Sequence, residues 1–378
     1  MHKKTVTRGV VAVALLAALS TGMTACTPTT SADPRPTPTD ASPSSSPTPE
    51  HTPATTDFGT EPSAGDAPAC DALLPDDLVR ALVPDAEPVD AITELAHPAA
   101  TWNATRLTGG TGCWASNGSS PLDDRAARTA DEPAYEGVRV AVLPDAAAAF
   151  RTAGTDATAP AESATTVRCA ASDAARVYCN GGVLAGTAWV DVAVVRLQTA
   201  SDATPEAMQP EYEALLEHVR ETVAASPAAS VDGDDSDDWS FTDCTTDGVA
   251  AVADTTLRDS VTLTDTPPTI DEFAQSRVGG STCRFVGPEY ATGAVYASVP
   301  DSGWVVEQRL AAGTVDRDGR IDLPGLGARD AAWRTCDELA CTVDVVHDRT
   351  WTQYLLTTEA ASDTAAAVER WAASSFGS

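Results

Sequence analysis

After Lys4 this chain contains no lysine. Every later basic side chain is arginine, and acidic residues outnumber basic ones by 55 to 24, a formal net charge of −31. A surface of that sign repels phosphate backbones and anionic headgroups, so nucleic acid is excluded as a partner. Methionine occurs 3 times and aromatics make up 5% of the chain, so a core here rests on small side chains and buries little apolar area per residue. Chemical motifs are missing as well: there is no G-x-S-x-G, no H-E-x-x-H, no P-loop and no glycine-rich dinucleotide turn. His2, His51, His97, His218 and His347 are scattered, without a zinc-ligand spacing. The expectation is a chain with no cofactor, no metal and no catalytic residue, and with no catalytic motif to decide whether it is an enzyme.

Long hydrophobic runs are absent too. The one apolar stretch, Val10 to Leu19, is too short to cross a bilayer, and it follows Lys3, Lys4 and Arg8. That is the layout of a secretory signal. Its end, Met23-Thr24-Ala25-Cys26, resembles the lipobox of bacterial lipoproteins. The resemblance implies cleavage before Cys26, a diacylglycerol on its sulfur, and a location on the extracytoplasmic face of the cell membrane. Two acyl chains hold firmly where one is marginal, because each buried CH₂ contributes about 0.8 kcal/mol. Cleavage would remove residues 1–25, which carry three basic residues and no acidic one, and so deepen the negative charge.

Residues 27–67 are low complexity, with 9 Pro and 16 Ser/Thr in 41 positions. Ordering such a segment costs entropy with little burial in return, so 26–67 reads as a lipid anchor followed by a disordered tether. It would span about 35–40 Å as a coil and at most about 130 Å extended. A second polar, acidic stretch at 226–239 separates 68–225 from 240–378, each of ordinary domain size.

The two halves share landmarks in the same order. Cys70 matches Cys244. Gly109-Gly110 with Cys113 matches Gly279-Gly280 with Cys283. VAVLPD (140–145) matches YASVPD (296–301), SDAARVYC (172–179) matches RDAAWRTC (329–336), and each half closes on a helix, 205–225 or 362–375. This reads as a tandem duplication. Apolar spacing predicts a helix over 73–83 and strands over 138–143, 189–197, 294–299 and 351–358. Few-stranded antiparallel sheets with helices on one face give the class α+β, as two tandem repeats.

Besides Cys26, eight cysteines remain, four per half, and an exported chain meets an oxidising environment. Taking Cys179 and Cys336 as equivalent, the expected bridges are Cys70–Cys113, Cys169–Cys179, Cys244–Cys283 and Cys336–Cys341. The glycine pair before Cys113 and Cys283 would let the chain turn sharply there. Two acidic stretches, 232–238 and 316–321, resemble parts of calcium loops but lack the strongest ligand positions, and read as a solvated linker and an Asp-Gly turn. Trp189, Trp333 and Trp351 read as core or sheet-face residues rather than a glycan-gripping row.

The lipobox, the tether, the early cysteine before LLPDDLVRAL, the GxxCxW-like segment and the run from Gly325 to Ala332 together resemble actinobacterial cell-envelope lipoproteins of a small domain family of unknown function. The resemblance implies an α+β fold and a surface location, and brings no catalytic residues. A looser likeness, to the extracellular sensor domains of actinobacterial Ser/Thr kinases, implies ligand or protein sensing. The expected function is that of a membrane-anchored, non-enzymatic binding or sensing module with an envelope protein or glycan partner. The alternatives are an envelope hydrolase and a structural spacer.

Overall fold

Val138, Val140 and Val142 alternate along one strand, and Val190, Val192 and Val194 along another. Side chains on a strand point to opposite faces in turn, so these residues form one valine row when the strands pair. They do pair, with Val138 opposite Val194 and Val142 opposite Val190. The computed structural model describes residues 55–62, 67–95, 97–119, 135–153, 165–171, 176–198, 203–226, 244–259, 269–287 and 292–376. The signal, Cys26, most of the tether, the 232–238 stretch and nearly all of 226–239 lie outside the described residues.

The first half runs α1 (Cys70–Leu73), α2 (Asp76–Leu82), β1 (Glu87–Val89), α3 (Thr101–Leu107), β2 (Thr111–Ser116), β3 (Gly137–Leu143), α4 (Ala147–Ala153), β4 (Thr165–Ala171), β5 (Arg176–Ala185), β6 (Ala188–Leu197) and α5 (Pro205–Ala225). The second runs α6 (Asp247–Ala250), β7 (Arg258–Asp259), α7 (Ile270–Arg277), β8 (Ser281–Val286), β9 (Thr292–Val299), α8 (Gly303–Ala312), β10 (Arg320–Ile321), β11 (Ala331–Cys336), β12 (Ala340–His347), β13 (Thr350–Thr357) and α9 (Thr364–Phe376).

The fold is α+β with two antiparallel sheets. The first has six strands ordered β1-β2-β3-β6-β5-β4. The second has seven, ordered β7-β8-β9-β13-β12-β11-β10 from its opposite edge. Strand for strand the orders coincide, with β10 added at one edge of the second sheet.

Local sequence explains the element ends. Thr204 caps α5 by accepting from Ala207 N, with Pro205 in the first turn, where a missing N–H costs nothing. Thr269 and Glu272 form a reciprocal capping box on α7, satisfying two orphan donors. The glycine pairs do two separate jobs. Gly109 and Gly279 adopt left-handed φ of +73° and +70°, a region that suits glycine. A Cβ on Gly110 would lie 2.2 Å from the Val142 carbonyl oxygen, and one on Gly280 would lie 2.7 Å from that of Ser298. Both glycines let the turn out of a helix lie flat against the neighbouring strand.

The four disulfides are Cys70–Cys113, Cys169–Cys179, Cys244–Cys283 and Cys336–Cys341, the expected pairs. The assumed equivalence of Cys179 with Cys336 is corrected by the strand order. Cys169 and Cys336 lie on β4 and β11, Cys179 and Cys341 on β5 and β12, and each pair sits directly opposite in register. The same cross-strand bridge therefore occupies the same place in both sheets.

A second correction concerns the helices, which cover both faces of each sheet. The valine row packs with Leu82, Met208, Tyr212 and Leu215 of α2 and α5. On the far face of the second sheet, Val343, Val345 and Leu356 pack with Val368 and Trp371 of α9. Between the sheets lies a shared core that draws Ala104, Leu143, Phe150 and Trp189 from the first half and Phe273, Ala274, Trp304 and Trp351 from the second. Helix α3 packs on β9 of the other sheet, and α7 packs on β3 in return. Both halves belong to one compact unit. The inner face of each half carries a run of buried apolar side chains because the other half covers it, which an amphipathic pattern read within one half does not reveal.

Residues 55–62 fall within the tether by composition, yet they lie along the second half. Phe58 stacks on Trp333 with ring centroids 5.8 Å apart, and Asp57 N donates to Arg329 O at 3.0 Å. Phe58 is the one large apolar side chain in 27–67, so it has the most to gain from burial there.

Candidate functional site

The seam between the sheets gathers most of the buried polar chemistry. Arg139 on β3 reaches Asp271 at the start of α7, one nitrogen lying 2.5 Å from both carboxylate oxygens. Its guanidinium also sits 5.6 Å from the Trp114 ring and 6.0 Å from that of Trp102, close enough for cation–π attraction. Thr105 Oγ1 donates to the same carboxylate at 3.3 Å. Asp191 on β6 completes the group. Burial pushes its carboxyl up to about 6, with Arg139 opposing that shift and Asp271 adding to it. Asp191 therefore holds its proton to about pH 6.

A second group has the connectivity used by hydrolases, in which a hydroxyl meets an imidazole that a carboxylate orients. Thr342 Oγ1 lies 2.6 Å from His97 Nδ1, and His97 Nε2 lies 2.9 Å from Asp337 Oδ2. Nδ1 and the Thr342 hydroxyl share a hydrogen bond, and Nε2 lies at ion-pair distance from the carboxylate. Burial would raise the Asp337 carboxyl, but the hydrogen bond and charge of His97 hold it below the usual range. Thr342 is 0% exposed, so no substrate carbonyl can reach its oxygen. The group joins a loop of the first half to β12 of the second.

A third group is deeper still. Arg309 of α8 and Asp344 of β12 form an ion pair at 3.1 Å, both side chains 0% exposed. Trp351 Nε1 donates to Asp344 at 2.8 Å and Gln353 at 3.3 Å. The Gln353 carbonyl then accepts from Ala100 N of the first half at 3.3 Å. Burial pulls the Arg309 guanidinium down while Asp344 holds it up. Further ties cross the seam from Asn103 to Ser302 at 2.8 Å, from Arg277 to the Pro144 carbonyl at 2.7 Å, and from Thr314 to the Thr93 carbonyl at 2.7 Å.

Two features lie away from the seam. Asp330, His347 and Asp348 place their ligand atoms within 4.8 Å of one another. Each ring nitrogen already faces a carboxylate, Nδ1 that of Asp330 at 2.8 Å and Nε2 that of Asp348 at 3.7 Å. Gly327 N and Asp348 N also donate to Asp330, so a cation would have to displace existing bonds. The second is an apolar pocket of about 110 Å³ in the first half, lined by Pro68, Gly109, Pro144, Ala185, Gly186 and Val223 among others. It lies between the end of α5 and the turn joining β5 to β6. Its volume approaches that of cavities known to take benzene-sized guests.

Among the described residues, all eight cysteines are in disulfides. Trp189, Trp333 and Trp351 lie in the shared core. His218 Nε2 lies 2.9 Å from the Ala72 carbonyl oxygen. Asp316 of the 316–321 stretch accepts from Asp318 N at 2.9 Å and caps a tight turn into β10. Sequence reading singled out neither the seam groups nor the pocket. His97 and Thr342 are 245 positions apart, and nothing local marks either one as a partner. No known protein family, curated protein or solved structure matches the chain.

Proposed function

We propose that the chain is an extracytoplasmic lipoprotein, held by lipid on Cys26, whose body is a non-enzymatic binding module. In this reading the body is a tandem duplication of one α+β unit whose copies meet through equivalent helices, as subunits meet across a two-fold axis. The matching strand orders and glycine seats support the duplication, and the four disulfides suit an oxidising compartment.

The observation that carries the binding reading is the apolar pocket beside α5. Its lining of small side chains suits a single apolar group, such as a side chain of an envelope protein partner, better than a glycan. The polar clusters that hydrolysis would need are committed to the seam instead. The test is photo-crosslinking in native envelopes with the full-length chain, the probe replacing Thr187 at the pocket rim. Ala224→Trp fills the pocket from an exposed position of α5. An adduct lost in that variant supports the reading. Equal adducts from both chains, or none from either, overturn it. Labelling with a radioactive fatty acid tests the anchor separately, and Cys26→Ala should abolish incorporation.

A further inference from the structure

We propose that the surface around Trp333 on the second half is a peptide-recognition site, occupied in cis by the chain's own residues 57–61. Its partner in trans is an extended peptide with a phenylalanine between carboxylates. This inference goes beyond the anchor and the pocket and depends on neither.

Four of the five residues of the segment, all but the exposed Thr60, have a built counterpart. Phe58 lies flat over Trp333, centroids 5.8 Å apart and planes 23° from parallel. Asp57 meets Arg329 twice, backbone N to carbonyl O at 3.0 Å and carboxylate to guanidinium at 3.3 Å. Gly59 turns at φ +75°, and a Cβ there would lie 3.3 Å from the Arg349 side chain. Glu61 accepts from Gln308 at 2.8 Å. Arg349 is held by Asp301, so Arg329 is the cation that meets a carboxylate of the segment. That pairing favours a peptide with an acidic residue beside its phenylalanine.

The receiving surface is shaped for a backbone. A Cβ on Gly303 would lie 2.8 Å from the Phe58 carbonyl oxygen and 3.2 Å from that of Arg349. Pro-Asp precedes both Gly303 and Ala147 by the same number of residues, and both aspartates take a left-handed φ. The first half thus carries alanine where the second carries glycine. It also carries Thr187 where the second carries Arg349, each bonded to its own aspartate, Thr187 to Asp145 at 2.9 Å and Arg349 to Asp301 at 3.3 Å. The clearance and the Arg349 side chain belong to the half that holds the segment.

A short linear contact of this kind is weak in trans and favoured in cis, where the effective concentration reaches the millimolar range. A partner peptide therefore binds by displacing the segment. The test uses a fluorescent peptide of residues 55–62 and the full chain, either unchanged or as Phe58→Ala. The peptide should saturate the Phe58→Ala chain, bind the unchanged chain at least tenfold more weakly, and lose binding when it carries the same alanine. Arg329→Glu, at a side chain 71% exposed, should weaken binding to the Phe58→Ala chain and leave its circular dichroism unaltered. Equal binding of both peptides, or no binding up to millimolar concentration, overturns the proposal. Light scattering that finds the unchanged chain dimerised through exchanged segments also overturns it, because the occupant would then be a second copy.

Discussion

Gly110 has no space for a methyl group, and that fixes a residue-scale prediction. Gly110→Ala would drive a Cβ to 2.2 Å from a backbone oxygen that cannot swing away. The expected loss is about 3 kcal/mol, at the upper end of overpacking. Gly279→Ala meets no atom within 4 Å and suffers only from its positive φ, so about 1 kcal/mol is expected. Urea denaturation of the two variants should rank them in that order. Asp191 gives a pH prediction. The folded chain keeps its proton to about pH 6, whereas a free aspartate loses it at 3.8. Between those values the folded state binds more protons, so this group's contribution falls as pH rises. Asp191→Asn should flatten the stability profile over that window and leave the chain no less stable at pH 7.5, as thermal melts across pH would show. For the Arg309–Asp344 pair, Asp344→Ala strands a buried cation and should cost about 3–5 kcal/mol. Replacing both partners by apolar residues should cost much less, as a double-mutant cycle would register.

At the scale of elements, the disulfides form two classes. Cys70–Cys113 and Cys244–Cys283 close loops with separations of 43 and 39, and Cys336–Cys341 closes one of 5. Loop entropy assigns about 4 kcal/mol to the long bridges and about 2 kcal/mol to the shortest. Serine pairs replacing each bridge should lower the guanidinium midpoint in that proportion. The long elements were legible in sequence because their determinants are local. Helix α5 was read over 205–225 from the spacing of Met208, Tyr212, Leu215 and Val219, and those residues are buried. The strands at 138–143 and 189–197 showed their alternation plainly. The match of SDAARVYC to RDAAWRTC went wrong because it followed similar letters onto strands that differ in place, β5 and β11. Register, which similarity of letters does not encode, decides which cysteines correspond.

At the scale of the molecule, the sequence was least informative where the halves meet. Arg139 and Asp271 are 132 positions apart, and each alone looks like an ordinary surface charge. Ala104 and Ala274 are unremarkable in a chain rich in alanine, yet both are fully buried in the shared core. The pocket is equally silent in sequence, because glycine, alanine and proline line it through backbone shape rather than chemistry. Phe58 was hidden in a different way. Its neighbours set the composition of 27–67, and an average over 41 residues conceals the single one that packs.

The shared core has a consequence for how the chain responds to being cut. A protease that severs the backbone between Ser226 and Cys244 breaks one covalent path but leaves the interlayer intact, with its burial and its hydrogen bonds. The two fragments should migrate apart on a denaturing gel and elute together from a sizing column. Synthesised from two separate messages, the same fragments should find one another, each acting as the template on which the other finishes folding.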